Sequence, residues 1–210
     1  MTSGAAFDVV LIAASQGGLS VCRRILAPLP ADYPAAIVYA QHRRPGGSVA
    51  PRDLLARWTA LEVRSGAEGD PLVPGTVTVP PADVHVRISP DRRLAFEPGS
   101  PGVELADELF ASAAEVYGRR ALAVVLSGRL HDGTRGVQAI KARSGRVIVQ
   151  DPASAEQPSM PWNALATGCV DLVLDPPRIA DALVALVTVP GADELFRVRG
   201  GSWTASPSAF

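Results

Sequence analysis

The sequence has little cysteine, few aromatic residues and almost no lysine. Of 210 residues, two are cysteine and 5% are aromatic, and Lys141 is the only lysine among 20 basic residues. Cys22 and Cys169 lie far apart and form no Cys-x-x-Cys pair, so neither a disulfide framework nor a thiolate zinc site is predicted. We expect two buried thiols in a reducing compartment and hence a cytoplasmic protein.

Long apolar runs and the common cofactor motifs are also missing. No apolar stretch is long enough to span a membrane, and no basic segment followed by an apolar region occurs at the N-terminus. The formal net charge of -1 gives no general argument for nucleic-acid binding. The Gly-x-Gly-x-x-Gly pattern, the phosphate-loop Lys-Ser/Thr pair and zinc-ligand spacing do not occur. We therefore expect no cofactor, no metal, no nucleic-acid partner and no membrane insertion.

The residues that are present predict an α/β fold. Hydrophobic residues make up 47% of the chain, and buried apolar runs alternate with helical patterns. This alternation predicts a doubly wound, mostly parallel sheet flanked by helices, with a small inserted β meander over residues 76–96. We expect a short leader at residues 1–6, a single domain over residues 7–189, and a flexible Gly-, Ser- and Pro-rich tail at residues 190–210.

Ser15 stands where the first apolar run, residues 9–14, ends and a helical pattern begins. A serine at such a turn lies near free backbone N–H groups and the positive end of a helix dipole, where it can act as a nucleophile. A serine cap, or a small turn that lets the strand and the helix pack closely, is the alternative.

His42 and Asp132 follow two other buried runs in the same way. His42 follows residues 37–41, and Asp132 follows residues 124–126 after a glycine-containing loop. Because parallel strands end at one edge of a sheet, Ser15, His42 and Asp132 should share that edge. A serine, a histidine and an aspartate together can serve as nucleophile, general base and orienting carboxylate.

Each of these polar residues also has a structural interpretation. His42 can be a satisfied polar residue at a strand end, and Asp132 can form a turn or cap the helix that begins near Thr134. His131 is a competing base beside Asp132. His85 lies on an alternating strand, which favours a role in the wall of the site or in packing.

Taken together, the motifs resemble the catalytic domain of the chemotaxis protein-glutamate methylesterase family, CheB. The family has a Gly-Ala-Ser-x-Gly-Gly turn, a strand ending in Gln-His and a Leu-Thr-Gly-Met-Gly-x-Asp-Gly loop, followed by Gln-Asp and Met-Pro pairs. The corresponding positions here are residues 13–18, 41–42, 126–133, 150–151 and 160–161. The resemblance extends from about residue 7 to residue 187.

This resemblance implies a hydrolase that removes methyl groups from glutamyl methyl esters of chemoreceptors and that can deamidate glutamine. By the same resemblance Ser15 is the nucleophile, His42 the base and Asp132 the orienting carboxylate. The backbone N–H at Arg129 then stabilises the oxyanion, and an N–H near Gln16 and Gly17 contributes.

Departures from the family pattern leave the substrate open. Arg129 and Leu130 replace Met-Gly, and Gln16 replaces a small residue or threonine. The resemblance begins directly at the catalytic domain, so we expect a stand-alone form without the receiver domain, with a trans-acting receiver protein as a candidate regulator. Three hypotheses remain: an esterase for a methylated receptor or other protein, an esterase for a small methyl ester, and a catalytically weak binding module.

Overall fold

The computed structural model describes residues 5–42, 50–82, 84–98 and 105–192. The strands in these ranges are β1 (Val9–Ala14), β2 (Ala36–Gln41), β3 (Glu62–Ser65), β4 (Thr76–Val79), β5 (Val84–Ile88), β6 (Leu94–Pro98), β7 (Ala121–Val125), β8 (Arg146–Gln150) and β9 (Leu172–Leu174). The α-helices are α1 (Gly18–Leu26), α2 (Pro51–Leu55), α3 (Leu105–Tyr117), α4 (Thr134–Ala142), α5 (Ser159–Ala166) and α6 (Pro176–Thr188). Short 3-10 helices cover Gly118–Arg120 and Pro152–Ser154.

Seven of the strands form one parallel sheet, which confirms the predicted fold class. Their order is β3-β4-β2-β1-β7-β8-β9, and each neighbouring pair is parallel. The central strand β1 is buried along its whole length, because both faces of the sheet are covered. Its neighbours are β2 and β7, so the strands that precede Ser15, His42 and Asp132 lie side by side.

The sheet has a separate apolar core on each face. On one face, alternate residues of β1 such as Val10 and Ile12 pack with α1 and α6. On the other face, Val9 and Leu11 pack with α3, α4, α5 and the hairpin of β5 and β6. The alternation of a strand's side chains between the two faces explains why one apolar run supplies both cores.

The inserted β region is smaller than the predicted meander. Only β5 and β6 form a separate antiparallel hairpin, whereas β4 joins the main sheet between β3 and β2. The reason is burial on both faces: all four residues of β4, including Thr76 and Thr78, are buried. A strand covered on both faces belongs inside the parallel sheet and not in a separate meander.

Several predicted boundaries and burial states also differ. Ala5 and Ala6 are already buried, although the sequence predicts a leader up to residue 6. Most of the predicted tail lies outside the described residues. Cys22 is fully buried and burial raises its thiol pKa, but Cys169 is only half-buried.

Candidate active site

Ser15 occupies the turn between β1 and α1. The turn is tight because Gly17 adopts a left-handed backbone (φ 81°), which glycine tolerates without strain. Gly17 is the N-cap of α1, and the helix has no side-chain cap hydrogen bond, so Ser15 does not cap it. Ser15 is buried, with 9% of its surface exposed. The serine-cap alternative is therefore wrong, and the hydroxyl is left without a capping role.

The loop that follows β7, residues 126–130, packs directly against Ser15. The Ser15 N–H donates to the carbonyl of Ser127 at 3.0 Å, which continues the strand ladder past the end of β1. A Cβ atom at Gly128 would lie 2.9 Å from Ser15 Cβ and 2.0 Å from Met160 Sδ. Only glycine fits between these two side chains, so the backbone of the 126–130 loop reaches the serine itself.

One backbone donor in the 126–130 loop is left over. The others donate to Ala13 O (2.9 Å, from Leu126), Gln150 Oε1 (2.9 Å, from Ser127), Gln157 O (2.9 Å, from Gly128) and Ser159 Oγ (3.1 Å, from Leu130). The Arg129 N–H donates to no acceptor within the described residues. In the same part of the chain, the N–H groups of Gln16 and Gly17 also make no hydrogen bond. Three backbone donors are thus available around Ser15.

Buried polar side chains hold the Ser15 turn and the 126–130 loop together. Gln150 is fully buried, and its Oε1 accepts from the Ser127 N–H. The Ser127 hydroxyl donates to the carbonyl of Gln16 at 2.8 Å and accepts from the Gln157 N–H at 3.0 Å. Each side-chain polar atom in this network has a hydrogen-bond partner, so the network holds the turn in one conformation. Sequence reasoning missed the connection from Gln150 to Gln16.

His42 lies directly after β2, at the same sheet edge. Its N–H donates to the carbonyl of Ala14 at 3.0 Å, which extends the parallel ladder between β1 and β2 by one step. Ala14 pairs with Gln41 in that ladder, so Ser15 and His42 follow adjacent positions of neighbouring strands. The His42 side chain is exposed. The residues after it, 43–49, lie outside the described residues.

Asp132 caps a helix, but not the helix that directly follows it. The predicted cap of α4 is wrong, since Gly133 is the N-cap there and no side chain caps α4. The Asp132 carboxylate instead accepts from the N–H groups of Ala106 (3.0 and 3.1 Å) and Asp107 (3.2 Å) in the first turn of α3. This contact fixes the carboxylate from a segment 26 residues away in sequence.

Burial raises the pKa of Asp132 above its ordinary value. The N–H groups of Ala106 and Asp107 oppose this shift, the charge of Asp107 adds to it, and the charge of His42 opposes it. The electrostatic coupling favours the ionised aspartate whenever the imidazole is protonated.

Asp107 of α3 makes the reciprocal contact with α4. It is buried, and its Oδ1 accepts from the N–H of Gly136 in the first turn of α4 at 2.6 Å. Gly136 allows the two helices to approach, because a Cβ atom there would lie 2.6 Å from Phe110 Cβ. The starts of α3 and α4 thus each bond a carboxylate from the other segment. Sequence reasoning did not identify this role, because the bond joins residues that are 29 positions apart in sequence.

The described hydrogen bonds do not join the side chains of Ser15, His42 and Asp132 to one another. The sheet brings all three to the ends of adjacent strands, and the charge interaction links His42 to Asp132. Catalytic contacts are often loose before substrate binds. That the three side chains come within hydrogen-bonding reach stays a prediction.

The two other histidines have different surroundings. His131 is exposed, and its carbonyl accepts from the N–H of Thr134 at 3.2 Å. His85 lies on the hairpin strand β5, where its Nδ1 is 2.9 Å from Glu108 Oε2 of α3. Its side chain is largely buried by this contact, which agrees with the packing interpretation.

The charged groups at the rim of the site come from two segments. Arg129 is exposed, and its Nε donates to Gln157 Oε1 at 3.3 Å. Glu156 approaches the Ser15 turn, since its Oε2 lies 2.9 Å from where a Gly17 Cβ atom would be. Sequence reasoning did not identify Glu156, because its contact with Gly17 joins residues that are far apart in sequence.

The model of the CheB methylesterase family matches residues 10–183. The chain belongs to this family. It is 40% identical over 199 residues to the protein-glutamate methylesterase/protein-glutamine glutaminase of Moorella thermoacetica, covering 88% of this chain and 45% of that protein. It is 36% identical to the protein-glutamate methylesterase FrzG of Myxococcus xanthus, with 87% and 56% coverage. The chain therefore spans about half the length of the curated relatives it matches.

A solved structure supports the same assignment. The crystal structure of the Thermotoga maritima CheB methylesterase catalytic domain matches with a TM-score of 0.81 at 29% identity, covering 86% of this chain and 99% of that one. The CheB relationship thus holds for both the sequence and the order of strands and helices. Within the described ranges, no helix is long and apolar enough to cross a membrane.

Proposed function

We propose that the chain is a serine hydrolase that removes methyl groups from glutamyl methyl esters of a protein. The observation that carries this proposal is the surroundings of Ser15. The serine lies at the end of the central strand, packed against Gly128. The N–H groups of Gln16, Gly17 and Arg129 have no acceptor among the described residues. Gln16 and Gly17 directly follow Ser15 in the chain, and Arg129 directly follows Gly128. Such donors stabilise negative charge on the carbonyl oxygen during acyl transfer.

In the proposed reaction, Ser15 Oγ attacks the ester carbonyl carbon while His42 accepts the hydroxyl proton. The carbonyl π bond opens, and the resulting oxyanion accepts from the free N–H groups. His42 then gives its proton to the departing methoxide, which leaves as methanol. A water molecule attacks the acyl-enzyme in the same way and releases the glutamate carboxylate and Ser15.

Asp132 orients His42 in this proposal. Its carboxylate is suited to that role because two N–H groups of α3 hold it in place, and because its charge interacts with that of His42. The same steps with ammonia as the leaving group would deamidate a glutamine. That activity appears in the name of the Moorella thermoacetica relative, and we include it in the proposal as a second reaction.

A protein is the favoured substrate because the rim carries exposed apolar surface. Leu130 and Trp162 are 62% and 60% exposed, and they are the largest such exposures among the described apolar side chains. The Asn163 amide donates to the Leu130 carbonyl. Trp162 is the residue before Asn163, so it lies in the part of α5 that contacts the 126–130 loop. Exposed large apolar side chains beside a site are typical of protein-binding surfaces.

Methanol release tests the proposal directly. Wild-type protein should release methanol from a methylated receptor fragment, and the variant Ser15→Ala should release none while unfolding at the same temperature. Ser65→Ala is a matched control, since Ser65 is exposed at the end of the edge strand β3. Hydrolysis of small methyl esters alone would move the proposal to a small-molecule esterase. No hydrolysis by folded wild-type protein would favour a binding module.

A further inference from the structure

Leu130 has an unusual backbone for a leucine. Its φ is 71°, in the left-handed region that residues with a Cβ atom adopt only at a steric cost. Its side chain is 62% exposed and so gains little packing that could offset this cost. The family pattern has glycine at this position, and glycine adopts the same backbone freely. Something other than side-chain burial must therefore hold Leu130 in place.

Two polar side chains of α5 hold the Leu130 peptide from both ends. Ser159 Oγ accepts from the Leu130 N–H at 3.1 Å and donates to the carbonyl of Gly128 at 3.1 Å. Asn163 Nδ2 donates to the Leu130 carbonyl at 2.7 Å. The donor and acceptor roles are consistent, since the hydroxyl gives one hydrogen and receives one. Arg129 therefore lies between Gly128 and Leu130, whose backbone groups are both hydrogen-bonded to side chains of α5.

This arrangement matters for chemistry because of where the free donor lies. The Arg129 N–H has no acceptor in the described structure, and the adjoining Gly128 packs on Ser15 Cβ. Rotation of the Leu130 backbone to a relaxed negative φ would reorient the peptides on either side of it. A misplaced oxyanion donor lowers the rate of the chemical step more than it weakens substrate binding.

We propose that Asn163 is a positioning residue that holds Leu130 in the left-handed conformation and thereby aims the Arg129 N–H at the oxyanion. The inference rests on the proposed function, since it assumes that the oxyanion forms beside Ser15. Asn163 is not a catalytic residue, because it acts through the Leu130 carbonyl. With this amide in place, the loop can carry leucine where the family has glycine.

A double-mutant cycle separates positioning from general stability. Asn163→Asp removes the donor at nearly constant shape, and it should lower kcat for a neutral methyl ester by about tenfold or more, with KM changed less than about threefold. Leu130→Gly removes the steric cost of the left-handed backbone, so this position no longer depends on the Asn163 hydrogen bond. In the Leu130→Gly background, Asn163→Asp should lower kcat by less than about threefold. Gln138→Glu, an exposed amide-to-carboxylate change on α4, is the control for added charge.

Amide hydrogen exchange gives a readout that does not depend on activity. Exchange of the Leu130 N–H should speed up in Asn163→Asp and remain unchanged in Gln138→Glu. Equal kcat losses in the leucine and glycine backgrounds, or an unchanged Leu130 exchange rate, would overturn the inference. A wild-type protein that hydrolyses no ester would instead contradict the proposed function. The exchange rates would still test whether Asn163 holds the Leu130 backbone.

Discussion

At the scale of single residues, the ionised Asp132 carboxylate lowers the stability of the fold but is needed for the proposed activity. Burial raises its pKa, so the folded state holds the proton more tightly than the unfolded state does. Between the ordinary aspartate pKa of about 3.9 and the raised value, the folded protein binds more protons, and this group's contribution to stability falls as pH rises. Above that pH window, the carboxylate is ionised in both states, and its burial lowers the free energy of unfolding by the full amount.

The variant Asp132→Asn should therefore be at least as stable as wild type at pH 7, and its relative advantage should shrink as pH falls through that window. Asparagine keeps one oxygen to accept from α3. Activity should nevertheless fall by about 10³–10⁴-fold, since His42 loses its charge partner and its correct tautomer. Denaturant unfolding between about pH 3.5 and about pH 7, a range that spans the titration of ordinary carboxyl groups, measures the stability difference. A stability difference that does not vary with pH would contradict it.

Arg129 combines two separable features, a backbone donor and an exposed cationic side chain. Arg129→Ala keeps the N–H and removes only the guanidinium. We expect KM to rise more for an anionic methyl ester than for a neutral one, by about two- to fivefold for a single exposed charge. Added salt should weaken the difference, because exposed charges are screened.

Arg178, an exposed arginine in the first turn of α6, provides the matched control as Arg178→Ala. Steady-state kinetics with paired anionic and neutral esters at two salt concentrations measures the effect. Equal changes for both esters, without salt dependence, would leave Arg129 with its backbone role alone.

Helix α5 is the element that links the 126–130 loop to the exposed rim. Its N-terminal part bonds Gly128 and Leu130, and its next turn exposes Trp162. If a protein docks there, Trp162→Ala should raise KM for a methylated protein by about tenfold, as truncation of a buried interface tryptophan does. KM for a small methyl ester should stay unchanged.

Val173 on β9 is a control for lost exposed apolar surface, because it is 46% exposed on an edge strand of the sheet. Val173→Ala should leave both KM values unchanged. A Trp162→Ala variant that affects the protein and the small ester equally would contradict a docking role for α5.

Elements with continuous apolar runs were predictable from the sequence, and contacts between distant segments were not. Strand β1 lies where its apolar run, residues 9–14, predicts it. The membership of β4 in the main sheet depends on burial of Thr76 and Thr78, which the sequence cannot reveal. The capping of α3 by Asp132 needs a contact across 26 residues, so local rules assigned that aspartate to the nearer helix.

At the scale of the whole molecule, the parallel sheet explains why three distant residues share one edge. Strands β2, β1 and β7 are neighbours, and the chain leaves each of them at its carboxyl end. The site therefore depends on strand order more than on any single motif. Pairings among the side chains at that edge depend on loop details, and the sequence alone does not determine them.

The central claim is that Ser15 is the nucleophile, and peptide-level mass spectrometry after fluorophosphonate treatment tests it most directly. The account predicts one adduct on Ser15 in wild-type protein, a much slower reaction in His42→Ala, an unchanged reaction in Ser65→Ala, and none in Ser15→Ala. Wild-type protein that hydrolyses the methyl ester while its adduct lies on another residue, or while Ser15 stays unmodified, would contradict the account.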